Sequence, residues 1–472
     1  MLKKFTNFCV KLVDKYLPDP FLFAIILTFV VYVAAIVFTH QTPLEILKAW
    51  GNFSDGFWNL LKFSMQTGCI VVFGSTLAKT QIFNKLVNRI VKYATNNKRA
   101  IVLTVTFSAI FSWLNYGLGL IAGALLAKAI AKKLKTIDYR LLIASAYSGY
   151  IIWHQGLSGS IYSGYIIWHQ GLSGSIPLTI STGFDIAGKT IKSDITSTIF
   201  HPVNIITAIV CIGTMCIINI AMLPNEKDAV IVDSSVLGEE YRPKKYKIKT
   251  PADRIEHSKI LWLLTCLLGW AYIFYYFGNY IAEGKSILNG LGRDSVNMIL
   301  LFLGILLHGN LKNYLDALKD SVSSIVGVIL QYPFYAGIMA IMTCTNAEGI
   351  SLASLISNFF VNISNQYTFP VFTFFSAGIV NFFVPSGGGQ WSVQAPIVMN
   401  AAEYLKVPTN IAAMAIAWGD QWTNMIQPFW ALPALAVANL KAKDIMGFMC
   451  IITIASGIVF AIGIYLWAKL YS

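Results

Sequence analysis

The chain has 472 residues, 56% of them hydrophobic and only 12% charged, with a mean hydropathy of +0.63. A soluble protein carries about a quarter charged residues, so this composition excludes one, and several runs approach the ~20 apolar residues that cross a bilayer. The net charge of +13 does not indicate nucleic acid, because Lys and Arg sit in short loops between apolar runs.

The chain opens on Met1-Leu2-Lys3-Lys4 and runs into an apolar stretch without an evident cleavage site. The first span, about Pro20 to Phe38, therefore reads as a retained transmembrane helix. Lys3, Lys4, Lys11 and Lys15 precede it and place the N-terminus in the cytoplasm. A second span, about Phe57 to Ala78, returns to a basic segment from Lys79 to Arg99, read as an interfacial amphipathic helix. Residues 100–134 are apolar, basic at both ends, and interrupted by Asn115-Tyr116-Gly117-Leu118-Gly119. Two full crossings need ~40 residues. A re-entrant hairpin that opens from the inside fits better, with its irregular backbone satisfied by protein or a water-filled cavity.

From Tyr139 the chain crosses outward and meets a tandem repeat. Residues 147–161 recur without a change as 162–176. This is a duplication rather than a solenoid period, and one copy is expected to bulge out of the frame. A span at about Val203 to Leu223 returns inside. Residues 223–259 read as a solvated cytoplasmic linker. Residues 260–278 form a connecting transmembrane helix. Spans follow at about Val296 to Leu307 and Ser321 to Cys344, then an interfacial piece from Ser351 to Phe360. Residues 369–404 form a second glycine-broken stretch, opening from the outside. Ile411 to Leu440 crosses in, and Ile445 to Leu470 crosses out. Of the 35 Lys and Arg, only Lys48, Lys189, Lys192, Lys285, Arg293 and Lys406 fall in outside loops, which supports this orientation.

The halves correspond. Phe107-Ser108-Ala109 precedes the first break and Phe375-Ser376-Ala377 the second, while Tyr162 to Pro177 aligns without gaps on Trp418 to Pro433. The fold expected is an all-α polytopic membrane protein with about nine transmembrane helices. It is an inverted-topology repeat, residues 1–222 against 279–472, with two re-entrant hairpins. Such repeats with broken helices mark secondary transporters, whose sites lie near the midplane where the breaks meet.

The candidate site residues follow from the breaks. Glycine allows close backbone approach, and a half-helix starting after Gly387-Gly388-Gly389 presents free N–H groups to an anion. Ser386, Gly387, Gly388, Gly389 and Gln390 are therefore candidates for substrate binding, with Asn115, Gly117 and Gly119 in the first break. A tight turn in a packed hairpin is the plainer reading of the glycines. Asp420 is the only acidic residue of its span and a candidate proton carrier or sodium ligand. Asn424 shares its face at i+4, and Gln421 and Gln427 lie further round. His154 and His169 are copies of one position, either a proton relay or a hydrogen-bonded structural residue. Trp391, Trp418 and Trp422 pack the core or wall an acyl pocket. The seven cysteines show no CxxC and no metal-ligand spacing, so no metal site and no cofactor beyond a coupling ion, H⁺ or Na⁺, is expected.

Three strings carry a resemblance: Ser163 to Leu178, Val384 to Trp391 and Trp418 to Asn424. The chain resembles the bacterial short-chain fatty acid transporter family of the ion transporter superfamily over nearly its whole length. The resemblance implies a multi-pass carrier of the bacterial cytoplasmic (inner) membrane and not an enzyme, with hairpins that move as an elevator. The partners implied are a short-chain monocarboxylate of the acetoacetate or butyrate type, the lipid bilayer and, in a homodimer, a second copy. The rivals are a carrier for dicarboxylates or amino acids, a membrane-embedded acyl-group enzyme, and a channel. The absence of Lys or Arg in either break argues against a doubly charged substrate.

Overall fold

The computed structural model describes residues 2–16, 18–114, 116–156, 176–182, 184–186, 189–225, 227–232, 248, 250–284, 287, 293–385 and 387–471. The described chain is nearly all helical. The exception is an antiparallel ribbon, Phe184–Ile186 against Lys189–Ile191. Its strands are too short to leave a periodicity in the sequence.

In chain order the first helices are α1 (Leu2–Tyr16), α2 (Pro20–Thr39), α3 (Pro43–Gly51), α4 (Leu61–Ala78) and α5 (Gln81–Val91). Next come α6 (Asn97–Leu114), α7 (Tyr116–Lys133), α8 (Tyr139–Gly149), α9 (Ile176–Thr182) and α10 (Pro202–Ala221). After the linker come α11 (Pro251–Glu256), α12 (Lys259–Ala282), α13 (Arg293–His308), α14 (Leu311–Lys319), α15 (Val326–Thr343) and α16 (Leu352–Asn362). The last are α17 (Phe369–Phe383), α18 (Gly387–Tyr404), α19 (Thr409–Thr423), α20 (Pro428–Ala438) and α21 (Ala442–Tyr471).

Among the described residues four helical stretches are long and apolar enough to cross a bilayer: Phe21–Thr39, Pro202–Ala221, Pro251–Ala282 and Ala442–Tyr471. The other apolar helices are shorter, and local chemistry accounts for the clearest case. The crossing expected from Ile411 to Leu440 is two helices, α19 and α20, separated at residues 424–427. Pro428 opens α20 and has no N–H to donate back to Asn424, so the helix ends there and restarts.

Each glycine-broken stretch is a helix, a break and a second helix packed on the first. In the first, Ser108 Oγ donates to the Gly119 carbonyl at 3.4 Å. A β-carbon on Gly119 would collide with Ser112, so the hairpin closes only around a glycine. Each hairpin's first helix also lies across the helix that follows the hairpin. Gly149 of α8 sits where a β-carbon would be 2.6 Å from the Val105 carbonyl of α6, and Gly419 of α19 would meet the Phe374 carbonyl of α17. The far end of α20 is tied to the first half of the chain. Tyr139 Oη donates to the Ala438 carbonyl at 2.9 Å and Lys128 Nζ to that of Val437 at 3.3 Å, a cation and a hydroxyl at a helix C-terminus.

Candidate functional site

The α8 helix tightens into a 3₁₀ turn over Tyr150–Gln155. Side chains three apart eclipse in that geometry. The Tyr147, Tyr150 and Trp153 rings accordingly stack, with centroids 5.9 and 5.8 Å apart and planes within 11° and 9°. The end of the turn is pinned by Trp113 Nε1 and Asn204 Nδ2, which donate to the Gln155 carbonyl at 3.1 and 2.9 Å. His154 is thereby held at a fully buried position against α19.

There His154 Nε2 lies 3.1 Å from Asp420 Oδ1, and the His154 N–H donates to Gln421 Oε1 at 3.0 Å. Asn424 Nδ2 reaches the same Asp420 oxygen at 3.4 Å. From α17, Asn381 Nδ2 donates to the Asp420 carbonyl at 2.7 Å, to Thr423 Oγ1 at 2.9 Å and to Asn424 Oδ1 at 2.7 Å. Gln427 Nε2 donates to Asn424 Oδ1 at 3.0 Å. Tyr147 Oη closes the group by donating to the Asn424 carbonyl at 2.6 Å. Asp420, Asn381, Asn424, Gln421 and Gln427 are all buried.

Both hairpins reach this cluster. Tyr116, first residue after the inner break, packs its ring 5.7 Å from Trp153 and 5.4 Å from Trp430 of α20. The second hairpin supplies Asn381. The structure thus brings together Asp420, His154, Asn424 and Gln427 of the residues predicted from sequence. Gly117 and Gly119 are buried in the first hairpin, and Gly387, Gly388 and Gly389 form the first turn of α18. Asn115, Ser386 and His169 lie outside the described residues.

Gln390 differs from expectation. Its amide hydrogens are committed to its own hairpin, to the Ala377 carbonyl at 2.8 Å and Gln394 Oε1 at 2.7 Å. As a donor to a substrate it is already occupied. Asn381 was missed, and a lone amide in the apolar run Ile379-Val380-Asn381-Phe382-Phe383 was the available signal for it.

Several buried polar atoms have no hydrogen-bond partner among the described residues. Those on the residues of this cluster and the 3₁₀ turn include the donors Tyr150 Oη, Trp153 Nε1 and Gln421 Nε2 and the acceptors Asp420 Oδ2, Asn381 Oδ1 and Gln427 Oε1. Buried polar groups are almost always paired, so these atoms have hydrogen-bonding capacity left for water or a bound polar group. Among the described residues no Lys or Arg pairs with Asp420, and no group of His, Cys, Asp and Glu suits a multi-ligand metal centre.

A sequence profile of the family described as "Short chain fatty acid transporter" matches residues 1–162 and 160–467. The two matched stretches overlap where the duplicated copies join. Relatives bearing the short-chain fatty acid transporter name align end to end. One from Escherichia coli (strain K12) is 38% identical over 99% of this chain and 100% of its own length. One from Haemophilus influenzae is 37% identical over 98% and 100%. Among solved structures, the YdaH transporter of Alcanivorax borkumensis aligns over 96% of this chain and 98% of its own at 14% identity, with a TM-score of 0.41.

Proposed function

Since the chain belongs to the short-chain fatty acid transporter family, a family of membrane transporters rather than enzymes, we propose that it is an ion-coupled symporter. Its substrates are short-chain monocarboxylates of the acetoacetate or butyrate type, taken into a bacterial cell across the cytoplasmic membrane. The carboxylate binds between the hairpin tips. The donors proposed for it are Tyr150 Oη, Trp153 Nε1 and Gln421 Nε2, which have no partner among the described residues, together with the N–H groups of the first turn of α18. Trp153, Trp430 and Tyr116 wall the short acyl tail.

The observation that carries this reading is Asp420. It is a buried carboxylate with one open oxygen, touched by helices that both hairpins reach, beside His154 and without a Lys or Arg partner among the described residues. A substrate anion about 5 Å from it would be repelled by about 3 kcal/mol at an effective dielectric of 20. A cation bound with the substrate removes that repulsion, and this is the physical basis of symport here. The neutral donor set suits one carboxylate and not two. The paired crossings of α6 with α8 and of α17 with α19 support two inverted repeats, and the Lys and Arg bias supports an inside N-terminus and an outside C-terminus.

Counterflow in proteoliposomes tests the reading. Internal unlabelled butyrate should drive saturable entry of radiolabelled butyrate, and excess succinate should not compete. Asp420→Asn should abolish cation-driven accumulation; accumulation at the wild-type rate in that variant sinks the coupling role.

A further inference from the structure

His154 and Asp420 come from opposite halves of the chain, 266 residues apart, and their side chains meet at 3.1 Å. A hydrogen bond weakens steeply as its distance or angle drifts, so such a contact needs both backbones held in place. Each flank of the pair is tied to one side chain on a third helix. Gln155, the residue after His154, accepts at its carbonyl from Asn204 Nδ2 at 2.9 Å. Trp418, two residues before Asp420 on α19, donates from Nε1 to Asn204 Oδ1 at 3.2 Å. The other Asn204 amide hydrogen goes to the Ile199 carbonyl at 2.8 Å, and the Asn204 carbonyl accepts from Gln155 Nε2 at 3.3 Å. Asn204 is the third residue of α10 and is fully buried.

The sense of this amide follows from its partners. An indole N–H only donates and a backbone carbonyl only accepts, so the Asn204 oxygen faces Trp418 and its NH₂ faces Gln155 and Ile199. Both hydrogens and the oxygen then have protein partners, and Asn204 acts on the site through its neighbours. Two other bonds hold the same segments. Trp113 Nε1 shares the Gln155 carbonyl, and Gln421 Oε1 accepts the His154 N–H. The Gln421 bond joins the two segments to each other but leaves them free to shift together. Asn204 fixes both to α10, which packs separately on α6 and α21.

We propose that Asn204 is a positioning residue that sets the His154–Asp420 contact on which transport depends. Its consequence for transport rests on the symport reading, whereas the contact is tested without substrate. Melting is measured for purified wild type, His154→Ala, Asp420→Asn and the double variant, and again for the same four proteins carrying Asn204→Ala. With Asn204 in place the two single effects should be non-additive, with a coupling of roughly tenfold in the folding equilibrium. Without it the coupling should fall below about twofold. An asparagine that merely stabilises the fold lowers all four proteins alike and leaves the coupling whole. That outcome, or additive effects in both sets, overturns the proposal.

If Asn204→Ala yields no folded protein, Trp418→Phe takes its place, because it keeps an aromatic ring and removes the N–H that reaches Asn204. It should at least halve the coupling, and an undiminished coupling there overturns the proposal. In butyrate counterflow, Asn204→Ala should slow the maximal rate by roughly tenfold in wild type and by less than about twofold in His154→Ala. An equal slowing in both backgrounds removes Asn204 from the pair. Coupling in the melting cycle without butyrate counterflow in wild type upholds the positioning role and overturns the fatty-acid reading instead.

Discussion

Ile176, the last residue of the second duplicated copy, donates its backbone N–H to Nδ1 of His154 in the first, across 22 residues of sequence. The frame of the site therefore takes residues from both copies: Tyr147 to Gly156 from the first, and Ile176 from the second. Cutting out one copy leaves only Leu157-Ser158-Gly159-Ser160 between Gly156 and the next Ile-Pro. Those four residues, with the bonds that flank them, reach up to ~17 Å. That is ample when the side chain of His154, two residues before Gly156, already touches Ile176. Removing either copy yields the same sequence, and that protein should keep butyrate counterflow within about twofold. Loss of counterflow on deletion would show that the extra copy is part of the working site.

The two histidines should not be equivalent. His154 Nε2 lies at hydrogen-bond distance, 3.1 Å, from the buried carboxyl of Asp420, and losing a buried hydrogen bond of this kind costs about 1–3 kcal/mol. His154→Ala should lower uptake by at least about tenfold, and His169→Ala should leave it near wild type. Uptake that survives His154→Ala and fails in His169→Ala would put the second copy in the frame.

What could be read beforehand follows the range over which each feature is written. Glycine breaks in apolar runs are local and conspicuous, and both emerge as paired helices, α6 with α7 and α17 with α18. Asp420 and His154 stand out because ionisable groups are rare inside apolar spans. Their contact joins residues 266 apart, and no periodicity encodes it. Asn381 went unremarked for the same reason: one amide among apolar neighbours acquires a role only when α17 lies across α19. Gln390 misled because its residue type promised a donor, whereas its hydrogens bind Ala377 and Gln394 of the same hairpin. The division of Ile411 to Leu440 was foreshadowed by Pro428, but hydropathy alone does not register a missing N–H.

The close crossings give a stability prediction. Gly149 and Gly419 each sit where a β-carbon meets the backbone of the crossing helix, which cannot move aside as a side-chain tip can. Gly149→Ala and Gly419→Ala should each destabilise by about 1–3 kcal/mol, the usual cost of overpacking. Gly213 of α10 has nothing within 4 Å of its virtual β-carbon. Gly213→Ala should be neutral or stabilising by about 0.5–1 kcal/mol, because glycine weakens a helix interior. Melting of the three purified variants in detergent provides the comparison. Equal behaviour of Gly419→Ala and Gly213→Ala would mean that the α17–α19 crossing is looser than described.

Tyr150 gives the sharpest separation of binding from folding. Its ring is stacked between Tyr147 and Trp153, while its hydroxyl is buried without a partner among the described residues. Tyr150→Phe keeps the ring and removes only that hydroxyl. No protein–protein hydrogen bond is lost, and shedding an unpaired buried polar group is neutral or favourable for stability. The melting temperature should therefore hold or rise. If the hydroxyl donates to the substrate carboxylate, its loss removes a charge-assisted hydrogen bond, and the apparent KM for butyrate should rise by roughly tenfold or more. Tyr147→Phe makes the instructive contrast, because its hydroxyl already donates to the Asn424 carbonyl at 2.6 Å. That variant should lose stability. An unchanged KM in Tyr150→Phe would remove Tyr150 from the substrate's donor set and leave Trp153 and Gln421 to hold the carboxylate.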